Sequence, residues 1–351
     1  MKKPVIAIDG PAASGKSTIA KALAARLNIP YINTGNLYRA VAWFALKKGI
    51  VEDDLNDAGL KPILDVMSLT YIVGDSGYQI CVNGEFPGKA LRNPEITALA
   101  SPISAIPSVR EWLISLQRNF ADSGMIVMEG RDIGTVIFPE ARYKFFLTAS
   151  PEERAHRRLN QGGETVDGAT VESVAIEIAE RDQRDSTREV APLKQADDAI
   201  FVDSSGLSIE QVVDFILDKI RSHFSQYRVP YADTDQMGVV YYANYLEYFE
   251  RSRTEMLRDA GLPYRELEKE GFFLPVSEVN CRYFSSAHYD DLLIFKSIVS
   301  EIRGPRLVIT TEVFCGEKLL VRGVVTLACV NKAGRPCRIP DILTQACPVI
   351  P

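Results

Sequence analysis

The chain has 351 residues, 46 % of them hydrophobic and 25 % charged, with a formal net charge of −6 and a pI of about 5.4. That length predicts two domains rather than one, and the acidic balance excludes a nucleic-acid binder that works by bulk charge. Six scattered cysteines (Cys81, Cys281, Cys315, Cys329, Cys337, Cys347) form no C-x-x-C pair and three histidines are too few to help, so neither a disulfide framework nor a zinc site is expected. The first strand is reached by Val5 and no apolar run is long enough to span a bilayer, which predicts a cytoplasmic protein with no signal peptide and no membrane partner.

In chain order, the apolar run Val5–Ile8 predicts a buried strand, and Thr18–Leu27 a helix. Between them stand Gly10, Pro11, Ala12, Ala13, Ser14, Gly15, Lys16 and Ser17, which fit G-x-x-x-x-G-K-[ST] in the strand–turn–helix context that a phosphate loop requires. The glycines let the backbone curl its N–H groups toward one anion, and the helix start adds free N–H groups and a positive dipole end. Lys16 is placed to reach the outer phosphates and the Ser17 hydroxyl to hold Mg²⁺. The loop implies a nucleoside triphosphate but not the group that receives the phosphate.

Residues 31–46 read as a short strand, a turn and a helix, with Thr34 and Arg39 at its mouth; taken alone, Arg39 is a helix-surface residue. A helix is expected from Asp53 to Leu64. The β-rich runs Leu69–Val73 and Tyr78–Val82, around Gly74-Asp75-Ser76-Gly77, predict a small antiparallel insert. Glu95–Ala100 and Val109–Phe120 read as helices separated by Pro102 and Pro107. Met125–Met128 is a buried strand that ends in Glu129-Gly130-Arg131-Asp132, charged groups where α/β sheets bind ligands. After the strand Lys144–Leu147, helices are predicted over Glu152–Leu159 and Thr170–Arg184, either side of Gln161-Gly162-Gly163-Glu164. Arg154, Arg157, Arg158, Arg181, Arg184 and Arg188 flank that break in an otherwise acidic protein, which predicts a lid carrying guanidiniums over phosphates. Arg181, Asp185 and Arg188 share a face if the second helix continues. The strand Ala199–Asp203 and a helix Ser208–Ile220, capped by Ser208, complete the unit.

Together these segments resemble bacterial cytidylate kinases over residues 1 to about 222, and the expected first domain is an α/β phosphate-loop kinase with a parallel sheet, an antiparallel insert and a lid. The resemblance is carried by Ile8–Pro11 with the phosphate loop, Thr34–Arg39, Pro107–Arg110, Glu129–Asp132 and Glu180–Asp185. It implies phosphorylation of CMP or dCMP by ATP with Mg²⁺. Gly10 to Thr18 and Arg157 would then bind ATP, and Thr34, Arg39, Ser101, Arg110, Arg131, Asp132, Arg181, Asp185 and Arg188 the monophosphate. Arg39, Arg131 and Arg188 are implied as phosphate partners, with Lys16, Arg131 and Arg188 acting in transfer. Ser101, Arg110 and Asp132 would read the cytosine and Asp185 the ribose. Asn33 stands where the family often has Asp.

The chain runs through His223–Gln226 into Tyr227 without a Gly/Ser- or Pro-rich linker. Tyr227–Ala232 reads as a strand, Asp233–Tyr242 as a loop and Asn244–Ala260 as a helix whose Tyr245, Phe249, Ser252 and Met256 form one buried stripe. Strands are expected over Phe273–Phe284, Leu292–Ile302, Arg306–Phe314 and Leu319–Val330, an antiparallel sheet wrapped around one helix. Residues 225–345 resemble hot-dog-fold thioesterases of the hydroxybenzoyl-CoA group, through Tyr231–Tyr245 and, more weakly, Phe284–Asp291. That resemblance implies an acyl-CoA substrate, self-association, Asp235 as the catalytic carboxylate, the Tyr242 amide as polariser of the thioester carbonyl, and Gly238 as the residue that lets the loop pass close. Tyr242 stands where relatives often carry His, and Asp233 reads as a turn or cap carboxylate. A bifunctional enzyme is the first expectation; a kinase with a non-catalytic acyl-CoA-binding or dimerising module is the second.

Overall fold

A computed structural model describes residues 3–50, 54–74, 77–160, 168–347 and 349. The contacts divide the chain into two units, residues 1–214 and 215–351. The Gln161–Glu164 break and the Asp75-Ser76 turn lie outside the described residues, as does Asp53. Among the described residues no helix is long and apolar enough to cross a membrane.

The first unit runs β1 (Lys3–Asp9), α1 (Lys16–Leu27), β2 (Tyr31–Asn33), α2 (Thr34–Lys47), α3 (Asp57–Asp65), β3 (Leu69–Gly74), β4 (Gly77–Val82), α4 (Pro94–Ile103), α5 (Pro107–Asn119), β5 (Ile126–Gly130), β6 (Ala141–Thr148), α6 (Pro151–Leu159), α7 (Val171–Thr187), β7 (Ile200–Asp203) and the start of α8 (Ile209–Arg221). Its main sheet is parallel in the order β2-β5-β1-β6-β7. β5 is buried throughout, as expected of a central strand covered on both faces. The register sets Asn33 beside Glu129 and Asp9 beside Gly130, so the carboxyl ends of three strands open onto one place. β3 and β4 form the expected antiparallel insert. The helix expected from Asp53 starts at Asp57 because the Asn56 side chain caps it, accepting from the Gly59 N–H.

The second unit holds the rest of α8, then β8 (His223–Arg228), α9 (Asn244–Asp259), α10 (Tyr264–Lys269), β9 (Val276–Tyr283), β10 (Leu292–Arg303), β11 (Arg306–Cys315), β12 (Lys318–Ala328) and α11 (Asp341–Ala346). The sheet is antiparallel, in the order β8-β10-β11-β12-β9. The strand expected over Tyr227–Ala232 lies earlier, at His223–Arg228; Pro230 has no N–H to give a ladder, and Tyr231–Asp233 turn as a 3₁₀ segment.

The expected stripe of α9 is buried: Tyr245, Phe249, Ser252 and Met256 face the sheet. Phe249 lies where β12 has Gly323, and a Cβ there would come within 2.3 Å of the Phe249 ring. Gly323→Ala is therefore expected to destabilise this unit by about 1–3 kcal/mol through overpacking, read as a lowered urea midpoint; an unchanged midpoint would mean that helix and sheet separate freely at this point.

Candidate functional site

The carboxyl ends of β1, β2 and β5, with α1, α4, α5, α6 and α7 around them, enclose a cleft of about 1130 Å³. It is cationic. Lys16, Lys21, Arg39, Arg92, Arg110, Arg131, Arg158, Arg181 and Arg188, nine side chains, face three carboxylates, Glu129, Asp132 and Asp185. In a chain of net charge −6 that local excess marks an anion site.

One wall is the phosphate loop. Ala13 takes a left-handed backbone (φ 56°) and Gly15 another (φ 90°), turning the segment before α1. Gly10 sits against β6: a Cβ would lie 2.0 Å from the Leu147 carbonyl oxygen. Lys16 is buried, and its Nζ donates to Pro11 O at 2.5 Å and Ser14 Oγ at 3.2 Å, both neutral. Burial, then the nearby Arg131, push its pKa well below the usual lysine value. Beneath the loop, Asp9 accepts from the Ile133 N–H at 2.8 Å and the Gly134 N–H at 2.7 Å, opening the π-helical turn Ile133–Ile137. Burial outweighs those bonds and raises Asp9 to about 7.

The opposite wall joins Arg110 of α5 to Asp132 just past β5, an ion pair in which both side chains are buried. Arg110 Nη1 also donates to Ser104 O at 3.0 Å, and Arg188 Nη2 stands 4.0 Å from Asp132. Burial wins over both arginines and leaves Asp132 above the usual aspartate range. Arg131 Nε donates to Asp185 Oδ2 at 2.9 Å. Burial would raise Asp185, but Arg131 and Arg181 bring it below its ordinary value. Arg181 falls to about 10, through burial and then the Arg131 charge. Breaking a buried pair leaves one charge uncompensated, so Asp132→Ala is expected to cost about 3–5 kcal/mol and to lower the calorimetric midpoint of the first unit; an unshifted midpoint would remove the pair from the stability of the fold.

Of the ATP- and CMP-site residues implied by the resemblance, all but Gly10, Pro11 and Arg157 line this cleft; of the other arginines expected over the phosphates, Arg154 and Arg184 do not line it. Arg157 is placed behind the phosphate loop, donating from Nη1 to Ser14 O at 3.0 Å and Ser204 Oγ at 2.9 Å. Arg158, named in the sequence only as one of the lid arginines, faces the cleft instead. α7 ends at Thr187, so Arg188 does not share the helix face expected of it with Arg181 and Asp185; it reaches the cleft from an extended cap (ψ 142°), with Nε donating to Ala191 O at 2.6 Å. Thr34 donates its hydroxyl to Glu129 O at 2.7 Å.

Sequence reasoning passed over the role of Glu129. It accepts from Tyr31 Oη and Asn33 Nδ2, each at 2.5 Å, and Asn33 Nδ2 lies 3.5 Å from Ser17 Oγ. Asn33 also caps α2, accepting from the Asn36 N–H at 3.0 Å. An amide performs both tasks, whereas an Asp at this position would face Glu129 with a like charge. Ser17 Oγ and the Glu129 carboxylate are oxygen donors of the kind a hard divalent cation takes.

In the second unit Asp233 and Asp235 separate clearly. Asp233 Oδ2 accepts from Tyr248 Oη at 2.6 Å and Tyr227 Oη at 3.1 Å, which fixes the loop to the core. Among the described residues, Asp235 Oδ1 accepts only from the Met237 N–H, at 2.8 Å, within a tight turn closed by the Asp235 N–H on Val239 O. Gly238 supplies the positive φ (73°) of that turn. The Tyr241 and Asn244 N–H groups are committed to Asp233 O and Tyr241 O, and none of the described hydrogen bonds uses the Tyr242 N–H between them. Around it lie exposed apolar side chains, Met237 (80 %) and Tyr242 (61 %) among them.

Residues 6–222 match the family model described as cytidylate kinase, and residues 229–347 that of the thioesterase-like superfamily. The chain is 45 % identical over 219 residues to a cytidylate kinase of Carboxydothermus hydrogenoformans, covering 61 % of this chain and 96 % of that one. It is 47 % identical over 216 residues to a cytidylate kinase of Clostridium botulinum, covering 62 % and 97 %. Among solved structures, a probable thioesterase from Bartonella henselae is 40 % identical, covers 34 % of this chain and 99 % of its own, and superposes with a TM-score of 0.33.

Proposed function

Because this chain belongs to the cytidylate kinase family, we propose that its first domain, residues 1–222, transfers the γ-phosphoryl group of ATP to CMP or dCMP, and that its second, residues 225–345, hydrolyses an acyl-CoA thioester. The kinase reading is carried by one observation: a backbone-amide loop with Lys16 faces the buried Arg110–Asp132 pair across a single cationic cleft. The guanidinium suits cytosine O2 and N3, and the carboxylate suits the exocyclic amine, with Ser101 beside them. Arg39, Arg131, Arg181 and Arg188 receive the acceptor phosphate, Asp185 the ribose, and Thr34 fixes the strand end beneath. Transfer then rests on in-line placement and charge neutralisation, with no covalent nucleophile. Ser17 Oγ and the Glu129 carboxylate are the oxygens that would hold Mg²⁺, which would supply neutralising charge on the phosphates. The test is coupled ADP release with CMP, dCMP, UMP and AMP as acceptors; strong turnover with AMP alone would overturn the cytosine assignment.

For the second domain, Asp235 is the base or nucleophile and the Tyr242 N–H the oxyanion donor. The support is the contrast between Asp233, on whose Oδ2 two tyrosine hydroxyls converge, and Asp235, whose carboxylate accepts, among the described residues, from its own turn alone. A second reading, an acyl-CoA-binding or dimerising module without turnover, is favoured by the open edge of the sheet: β9 ends the strand order and exposes Val276, Val279 and Tyr283. An unpaired edge invites another strand, and we propose a homo-oligomer on that account. Free CoA release from a panel of acyl-CoAs separates catalysis from binding, and a solution mass equal to one chain would remove the oligomer. Soluble nucleotides and thioesters as substrates suit the cytoplasmic location expected from the sequence.

A further inference from the structure

Neither the phosphate-loop motif nor the substrate contacts account for Asp182. It follows Arg181 on α7 but points the other way, onto the back of the phosphate loop. The Ala12 N–H donates to Asp182 Oδ1 at 2.8 Å, and the Ala12 carbonyl accepts from Arg154 Nη1 at 3.1 Å. Arg154, on α6, pairs with Asp182 Oδ2. Both main-chain polar groups of one residue, on two successive peptide units, are thus gripped by an ion pair whose side chains are 11 % and 18 % exposed. Ala12 itself is buried against Ala155 of α6 and Val174 and Ile178 of α7. The grip falls just before Ala13, whose left-handed backbone is unfavourable for a residue with a Cβ. An N–H turned toward Asp182 is also withheld from the anion, which leaves the later amides of the loop to meet it.

We propose that Asp182, acting with Arg154, is a positioning residue that couples acceptor binding to the shape of the ATP loop. The coupling rests on the kinase reading above, because α7 presents Arg181 and Asp185 to the acceptor on one side and Asp182 to the loop on the other. Whatever draws Arg181 and Asp185 onto the monophosphate sets the place of Asp182, and with it the peptide that precedes the phosphate-binding amides. The linkage is reciprocal: ATP in the loop favours the α7 position that receives the acceptor.

The test is calorimetric binding of a non-hydrolysable ATP analogue to the full chain, with and without CMP. The parent is expected to bind the analogue about fivefold or more tightly when CMP is present. Asp182→Ala is expected to weaken analogue binding about tenfold and to bring that ratio to about one, with CMP affinity measured alone unchanged within about twofold. Asp182→Asn retains an oxygen for the Ala12 N–H and is expected to recover most of the analogue affinity, which separates positioning from misfolding. The Arg154→Ala/Asp182→Ala double variant is expected to lose no more than Asp182→Ala, since the pair acts as a unit. An absent ratio in the parent, or a ratio that survives Asp182→Ala, overturns the coupling. A parent that does not bind CMP overturns the acceptor reading instead; analogue affinity alone then decides the loop role, supported by a tenfold loss and overturned by none.

Discussion

Lys16→Ala is expected to lower kcat for CMP phosphorylation by about 10³-fold, with a thermal midpoint equal to or above the parent's. The two halves of that expectation have one cause. Lys16 is buried, its ammonium meets a carbonyl and a hydroxyl, and it belongs to none of the described ion pairs. Burial and Arg131 already depress its pKa. The free protein therefore carries a desolvated cation at a cost to its stability. Polyphosphate supplies the missing counter-charge, and the transferring phosphoryl group draws on it most. Removing the ammonium relieves the free fold and deprives the reaction. Coupled ADP release and calorimetry measure both; a large drop in midpoint would make Lys16 a structural residue and remove it from the transfer step.

Asp235→Asn is expected to reduce thioester hydrolysis by at least about 10²-fold while CMP phosphorylation stays at the parent rate. The amide keeps an oxygen for the Met237 N–H, so the turn survives and the loss reports on charge and basicity alone. Free CoA release reads the outcome. Hydrolysis at the parent rate would reduce Asp235 to a turn former and leave the binding-module reading standing. Asp233 serves as the contrast: two tyrosine hydroxyls converge on it, so its replacement is a change to the core.

Much of this was legible in the sequence because it is written locally. Strand, glycine-rich turn and helix stand consecutively at Val5–Leu27, and the buried stripe of α9 repeats at helical spacing. The cytosine pair is different: Arg110 and Asp132 lie on separate elements, and only family resemblance joined them. Arg188 shares a helix face with Arg181 and Asp185 only if the predicted helix continues past it, and that helix stops at Thr187, where the chain turns extended. Asn33, where the family often has Asp, has its reason in Glu129 beside it, bonded through an amide that also caps α2. Asp182 reaches a partner 170 residues away, and its neighbour Arg181 faces the other direction; no local pattern separates those two roles.

The carboxylate of Asp9 has a consequence for accuracy. Phosphoryl transfer tolerates little misalignment between the groups that react, and a shift of about 1 Å costs about 10² in rate. Through its main chain Asp9 leads directly into the donor loop, and through its two carboxylate oxygens it fixes the residues just after Asp132. The spacing between the two half-sites is therefore held twice, by the backbone register of neighbouring strands and by the two hydrogen bonds to one carboxylate.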